Sequence, residues 1–151
     1  LDVRNESQVI AAVQRAVDAF GRLDIVVNNA GIGYLMEPLL ELSLEKWRTV
    51  LDVNLTGAFL CTRHAAAQMI RQGQGGRIIN IASIEGLVGF SSQAAYNASK
   101  GGVVLLTRNM AADYARQGVR VNCLCPGLIE TPMTAALLRS SPAQPSPTSP
   151  P

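Results

Sequence analysis

Apolar residues recur along this chain at two alternating periods. Val9, Ile10, Val13, Ala16, Val17 and Phe20 fall on one face of a 3.6-residue repeat. Asn5 or Ser7 can cap its start, and Gly21 stands where a left-handed residue ends a helix, so a first helix is predicted over residues 6–20. Residues 23–27 form a short β-branched run closed by Asn28-Asn29-Ala30-Gly31, the pattern of a buried parallel strand entering a turn. After a loop with Gly33 and Pro38, Ser43 caps a helical stretch to about residue 72. Its stripe is Leu44, Trp47, Val50, Leu51, Leu55, Phe59, Ala66 and Ile70. Asn54, Thr56 and Gly57 are poor helix formers near its middle, which predicts a kink or local disruption there. Residues 77–82 read as a second strand, 94–116 as a helix stopped by Gly118, and 119–125 as a third strand stopped by Pro126-Gly127. Three buried strands separated by helices predict an α/β fold with a parallel sheet, since parallel neighbours need long crossovers.

Composition narrows the function classes. The 151 residues, 48% hydrophobic and 16% charged, suffice for one core. Thirteen basic and 11 acidic residues are spread without a run, so nucleic acid and anionic membranes are not expected partners. No apolar stretch approaches the roughly 18 residues a membrane span needs, and the first residues are too polar for a signal peptide, so a cytoplasmic protein is expected. Cys61, Cys123 and Cys125 form no C-x-x-C pair and read as reduced core residues, with no metal site. His64, the single histidine, reads as structural or exposed. Five of the eight prolines fall in the uncharged last dozen residues, so 139–151 are expected to be a disordered tail behind a domain of residues 1–138. Leu1-Asp2-Val3 reads as the end of a strand that begins upstream.

Ligands bind at the carboxyl ends of parallel strands, and the unusual residues gather there: Asn28-Asn29-Ala30-Gly31, then Ser83, then Pro126-Gly127 with Thr131-Pro132. Taken singly, each also serves as an ordinary turn or cap. Tyr96 and Lys100 are spaced i, i+4, which puts both on one helix face near the second strand's mouth. An ammonium beside a phenol favours the phenolate, and the helix N-terminus acts in the same direction. Lys46 and Lys100 are the two lysines of a chain that otherwise uses arginine.

In order, the chain carries Asn28-Asn29-Ala30-Gly31, Asn54 within Val53-Asn54-Leu55-Thr56-Gly57, Ser83 thirteen residues before Tyr96, Tyr96-Asn97-Ala98-Ser99-Lys100, and Pro126-Gly127 after Val119-Arg120-Val121-Asn122. The combination resembles the short-chain dehydrogenase/reductase family over residues 1 to about 138. The resemblance implies a partial Rossmann sheet and an NAD- or NADP-dependent exchange of a secondary alcohol and a ketone, by hydride transfer with a small-molecule substrate. It implies a catalytic set of Asn54, Ser83, Tyr96 and Lys100: Tyr96 as general acid/base, Ser83 bonded to the reacting oxygen, and Lys100 lowering the tyrosine's pKa and holding the nicotinamide ribose. Asn54 would hold a water through its backbone carbonyl at a helix irregularity. The implied cofactor contacts are Asp2 at the adenine edge; Asn28, Ala30 and Gly31 at the adenosine ribose; and Pro126, Gly127, Ile129 and Thr131 at the nicotinamide, with Tyr96 and Lys100. Ile84, Glu85, Leu87, Val88, Tyr34 and Leu128 would line an apolar substrate pocket with one carboxylate. Homo-oligomers would form through the helices over 43–72 and 94–116.

The pattern departs from the family where the phosphates are held. No T-G-x-x-x-G-x-G run occurs in these residues, and the family's first two strands would lie upstream of Leu1. The preference between NAD and NADP is therefore not legible. An alternative reading follows: a truncated, inactive fragment whose activity is limited to association with related subunits. A sugar epimerase or dehydratase with the same Tyr-Lys pair is disfavoured, because its substrate domain needs a longer C-terminal part.

Overall fold

The computed structural model describes residues 1–33, 36–132 and 134; the expected tail and the candidate pocket residue Tyr34 lie outside them. The first helix, α1 (Glu6–Phe20), begins at Asn5, whose side chain accepts from the Gln8 N–H, and ends at Gly21 with φ 79°. Strand β1 (Ile25–Asn28) starts two residues later than the sequence pattern predicts. The reason lies in a distant segment: the Gln72 side-chain amide takes both backbone groups of Leu23, donating to its carbonyl (3.0 Å) and accepting from its N–H (2.8 Å).

The long helical stretch is divided as its composition predicts. Helix α2 (Leu44–Leu51), capped by the Ser43 hydroxyl, passes through a π-helical turn over Asp52–Thr56 into α3 (Gly57–Arg71). Strand β2 (Gly76–Ile81) leads to a 3-10 turn over Ile84–Gly86, then α4 (Ala94–Tyr114) and β3 (Val119–Leu124). Helix α4 ends two residues before its predicted limit. A 3-10 turn over Ala115–Gln117 tightens there and closes on Gly118 at φ 76°.

The three strands are parallel in the order β1-β2-β3, with Asn28 opposite Asn80 and Ile81 opposite Leu124. Ala65, Ala66 and Met69 of α3, Met110 of α4, and Ile78, Val119 and Val121 of the sheet form the main core. The strands are not buried on both faces as their apolar runs predict. Ile78 is fully buried, whereas Ile25, Val27 and Leu124 are 59%, 53% and 54% exposed. Helices α3 and α4 cover one face of the sheet, so alternate residues of each strand point away from them. Among the described residues nothing covers the second face. An apolar groove of about 290 Å³ runs along the free side of β1, lined by Val9 and Val13 of α1, Val26, and Ala58 and Cys61 of α3. No helix of the described residues is long and apolar enough to cross a membrane.

Candidate active site

The site forms where the loops after β1 and β2 meet the first turns of α4. Helix α4 lies so close to the π-helical turn that a Cβ on Gly102 would stand 2.8 Å from Leu55 Cδ2. That approach brings Asn54 against α4. The buried Asn54 amide donates to Ser99 Oγ (3.0 Å) and to the Ile32 carbonyl (2.9 Å), and its oxygen accepts from the Ile32 N–H (2.8 Å). A π-turn widens the helix by one residue, and here that residue's side chain fastens the β1 loop to the helix that carries Tyr96. Asn54 thus acts through its side chain as well as through any role of its carbonyl. Ser99, to which the sequence pattern attached no role, completes the link by donating to the Tyr96 carbonyl (2.8 Å).

Lys100 is 5% exposed, and its ammonium donates to the Ile81 carbonyl at the end of β2 (2.8 Å). Its Nζ lies 5.5 Å from the centroid of the Tyr96 ring. Burial pushes the Lys100 pKa down, partly offset by Cys123 and Cys125. Tyr96 departs from the sequence expectation. Burial raises its pKa, hydrogen bonding toward Ser83 lowers it, and the charge of Glu85 raises it again, leaving it above the ordinary phenol value. The lysine does not offset desolvation here, because its ammonium is directed at a carbonyl and is itself disfavoured by burial.

Two glycines of the loop after β1 pack against this pair. A Cβ on Gly31 would lie 3.4 Å from Lys100 Nζ and 3.5 Å from Asn54 Oδ1; one on Gly33 would lie 3.4 Å from the Tyr96 ring. The loop after β1 thereby meets the buried cation and the phenol at a junction formed by its two glycines. Ser83 stands beside it, its hydroxyl accepting from the Glu85 N–H (3.1 Å), and the Ile84 N–H donates to the Pro126 carbonyl (3.0 Å), which joins the β2 and β3 loops.

The other candidates separate from this cluster to different degrees. Asn28 is turned inward: its amide donates to Thr62 Oγ1 and to Asn80 Oδ1, both at 2.8 Å, and Asn80 in turn donates to Thr107 Oγ1 at 2.8 Å. This buried chain ties α3, β1, β2 and α4 together, and its one legible signal was a lone asparagine within Ile78-Ile79-Asn80-Ile81. Asn28 and Ala30 border the apolar groove along β1, whereas Tyr96 and Lys100 do not line it. Asp2 is engaged by Arg4, whose guanidinium and N–H hold its carboxyl at about 2. No described contact ties Asp2 to the cluster. Gly127 has open space around it, and Ile129 and Thr131 are exposed in a turn closed by Thr134. His64 pairs with Glu6 across α1 and α3 (2.8 Å), the structural role expected of it. Among the described residues no group of His, Cys, Asp and Glu could hold a metal ion.

Asn80→Ala is expected to destabilise the chain by about 2–3 kcal/mol, through lost hydrogen bonds and the space left behind. A lowered urea midpoint at unchanged slope would show it; an unchanged midpoint would remove the buried chain from the fold's supports.

A family model described as short chain dehydrogenase matches residues 1–141. The chain is 45% identical over 136 residues to a cis-4-hydroxycyclohexanecarboxylate dehydrogenase of Sinomonas cyclohexanicum, covering 90% of this chain and 54% of that protein. It is 46% identical over 132 residues to a 2,5-dichloro-2,5-cyclohexadiene-1,4-diol dehydrogenase of Sphingobium indicum, covering 87% and 53%. Among solved structures, a gluconate 5-dehydrogenase of Burkholderia cenocepacia in complex with NADP and tartrate superposes with a TM-score of 0.88 at 39% identity, over 93% of this chain and 55% of that one. A tyrosine-to-phenylalanine variant of ElxO with NADPH bound gives 0.86 at 34%, over 93% and 56%. The chain thus spans about half the length of the curated relatives it matches.

Proposed function

The chain belongs to the short-chain dehydrogenase family, and on that premise we propose that it carries the catalytic half of an NAD(P)-dependent oxidoreductase interconverting a secondary alcohol and a ketone. The observation that carries this reading is the buried Lys100 ammonium, anchored on the Ile81 carbonyl and 5.5 Å from the centroid of the Tyr96 ring, where the glycines of the loop after β1 meet both groups. The nicotinamide, when bound, exchanges hydride with the substrate carbon.

The remaining work falls to this chain's residues. Tyr96 gives its phenolic proton to the ketone oxygen, or takes it from the alcohol. Ser83 donates to the same oxygen and stabilises the charge that develops on it. Lys100, fixed by one bond to the Ile81 carbonyl, keeps two N–H donors for ribose hydroxyls. Asn54 holds the β1 loop and α4 in register through Ile32 and Ser99. Pro126, Gly127, Ile129 and Thr131 would hold the nicotinamide end of the cofactor, and Asn28, Ala30, Gly31 and Asp2 the adenosine end. Two copies associate through α2–α3 and α4, where Phe59 and Leu105 are exposed.

The second reading, a fragment that binds no cofactor and acts only by association, draws on the bare sheet face and the half-length match. Titrating NADH and NADPH against the chain, followed by nicotinamide fluorescence and ketone-dependent oxidation, decides between them. Saturable binding with turnover is the expected outcome of the first reading. Absence of binding by both cofactors overturns it for these 151 residues and leaves the second.

A further inference from the structure

The face of the sheet turned away from α3 and α4 carries a charge pattern as well as apolar surface. Residues alternate between the two faces along each strand. In β2 and β3 the positions that alternate with buried Ile78, Val119 and Val121 include Arg77 and Arg120, both exposed. The register sets the two arginines directly opposite each other at the start of their strands, with Ile25 of β1 on the other side of Arg77. Farther along the same face stand Val27, Ile79, Ile81 and Leu124, exposed or half-buried. The surface is therefore apolar over most of its length and doubly cationic at one end.

Like charges directly opposite on neighbouring strands destabilise a sheet. The described residues supply nothing that neutralises this pair. Neither guanidinium enters an ion pair among them. The three strands contain no Asp or Glu, and Asp24, just before β1, is held by Arg22. A contiguous apolar patch is a mark of an interaction surface, and the two cations state what charge has to meet its end.

We propose that this face receives an amphipathic helix of another polypeptide, laid along the strands with an acidic C-terminal turn over Arg77 and Arg120. Its apolar stripe covers Ile25, Val27 and Leu124. Its last turn brings unpaired carbonyls, the negative end of the helix dipole, together with Asp or Glu side chains, to the two guanidiniums. The opposite orientation would set the positive end of the dipole against two cations. Strands of four to six residues, at about 3.3 Å per residue, match a helix of about 9–13 residues at 1.5 Å each. The proposal stands whether or not the chain binds a nicotinamide cofactor.

Fluorescence anisotropy on the full chain tests it with three labelled helical peptides of about 14 residues that share one Leu/Ala stripe. The first has a pair of Glu in its last turn, the second a pair of Gln there, and the third has the Glu pair moved to its first turn. The first is expected to bind about tenfold more tightly than the other two, the gain of one charge-assisted hydrogen bond, with the advantage shrinking at high salt. Arg77→Ser with Arg120→Ser is expected to level the three affinities, with circular dichroism unchanged and the urea midpoint no lower, because the change removes a repulsion. Ile25→Ser with Val27→Ser should weaken all three peptides alike. No saturable binding, equal affinities, an advantage that survives loss of both arginines, or a lowered midpoint in the arginine variant each overturn the proposal. A dimer of the chain alone that the arginine substitutions dissolve, read by sedimentation, would put a second copy on this face and overturn it too. The nicotinamide titration reads none of these contacts, so the dehydrogenase reading is decided separately.

Discussion

Gly75→Ala is expected to leave the 151-residue chain without a cooperative unfolding transition. Gly75 precedes β2 and Gly118 precedes β3, and the two turns pack backbone to backbone, the Gly76 N–H donating to the Gly118 carbonyl (3.3 Å). A Cβ on Gly75 would lie 2.2 Å from that carbonyl oxygen and 2.7 Å from its carbon. Neither atom belongs to a flexible side chain, so relief requires the two strands to separate at their starts, where their register is set. Gly75 also holds φ 66°, a conformation that a Cβ disfavours. Gly73 provides the control. It too is left-handed, at φ 72°, but nothing lies within 4 Å of its Cβ position. Gly73→Ala should therefore cost only the backbone term, about 1–2 kcal/mol, whereas Gly75→Ala adds a clash large enough to exceed about 4 kcal/mol. That approaches the whole stability of an ordinary domain, about 5–15 kcal/mol, and among the described residues one sheet face is uncovered. Urea titrations followed by circular dichroism compare the two; equal midpoints would show that the strand starts can part without consequence.

Tyr96→Phe is expected to reduce ketone turnover by about 10²- to 10⁴-fold, the range a positioned general acid contributes. The ring keeps its place between Gly33 and the Lys100 ammonium, so NADPH affinity should stay within about twofold and the loss should appear in kcat. Turnover retained in the variant would remove Tyr96 from the chemistry. The direction of its pKa adds a second observable. Because burial and Glu85 hold the phenol above its ordinary value, it is protonated through neutral pH. Ketone reduction, which uses the proton, should be flat there and fall only in the alkaline range, while alcohol oxidation, which needs the phenolate, should rise over that range. Glu85→Gln removes a charge that raises the pKa, so both limbs should move to lower pH.

Much of this was legible one residue at a time. The 3.6-residue stripe of α1 between Asn5 and Gly21, the disruption around Asn54 and the glycine stops needed only local physics, because caps, breakers and periodicity act over a few residues. The order of the motifs from Asn28 to Pro126-Gly127 was enough to point to the family. Other features depend on which surfaces meet. A β-branched run reads as buried whether one face or two are covered, so the exposure of Ile25, Val27 and Leu124 emerged only when α3 and α4 were seen on the same side. The start of β1 was decided by Gln72, forty-nine residues from Leu23. The sequence pairs Tyr96 with Lys100 by spacing and expects a lowered phenol pKa; burial of the phenol and the charge of Glu85 raise it instead.

The sequence by itself therefore determined the elements, their order and the residues able to do chemistry, since these follow from neighbours a few positions apart. Only the tertiary structure decided that Asn28 and Asn80 face inward to Thr62 and Thr107, that Asn54 clasps Ile32 and Ser99, and that Glu85 keeps an oxygen without a partner. Hydrogen bonding and desolvation depend on which atoms lie within a few ångströms, and those atoms come from segments twenty to fifty residues apart.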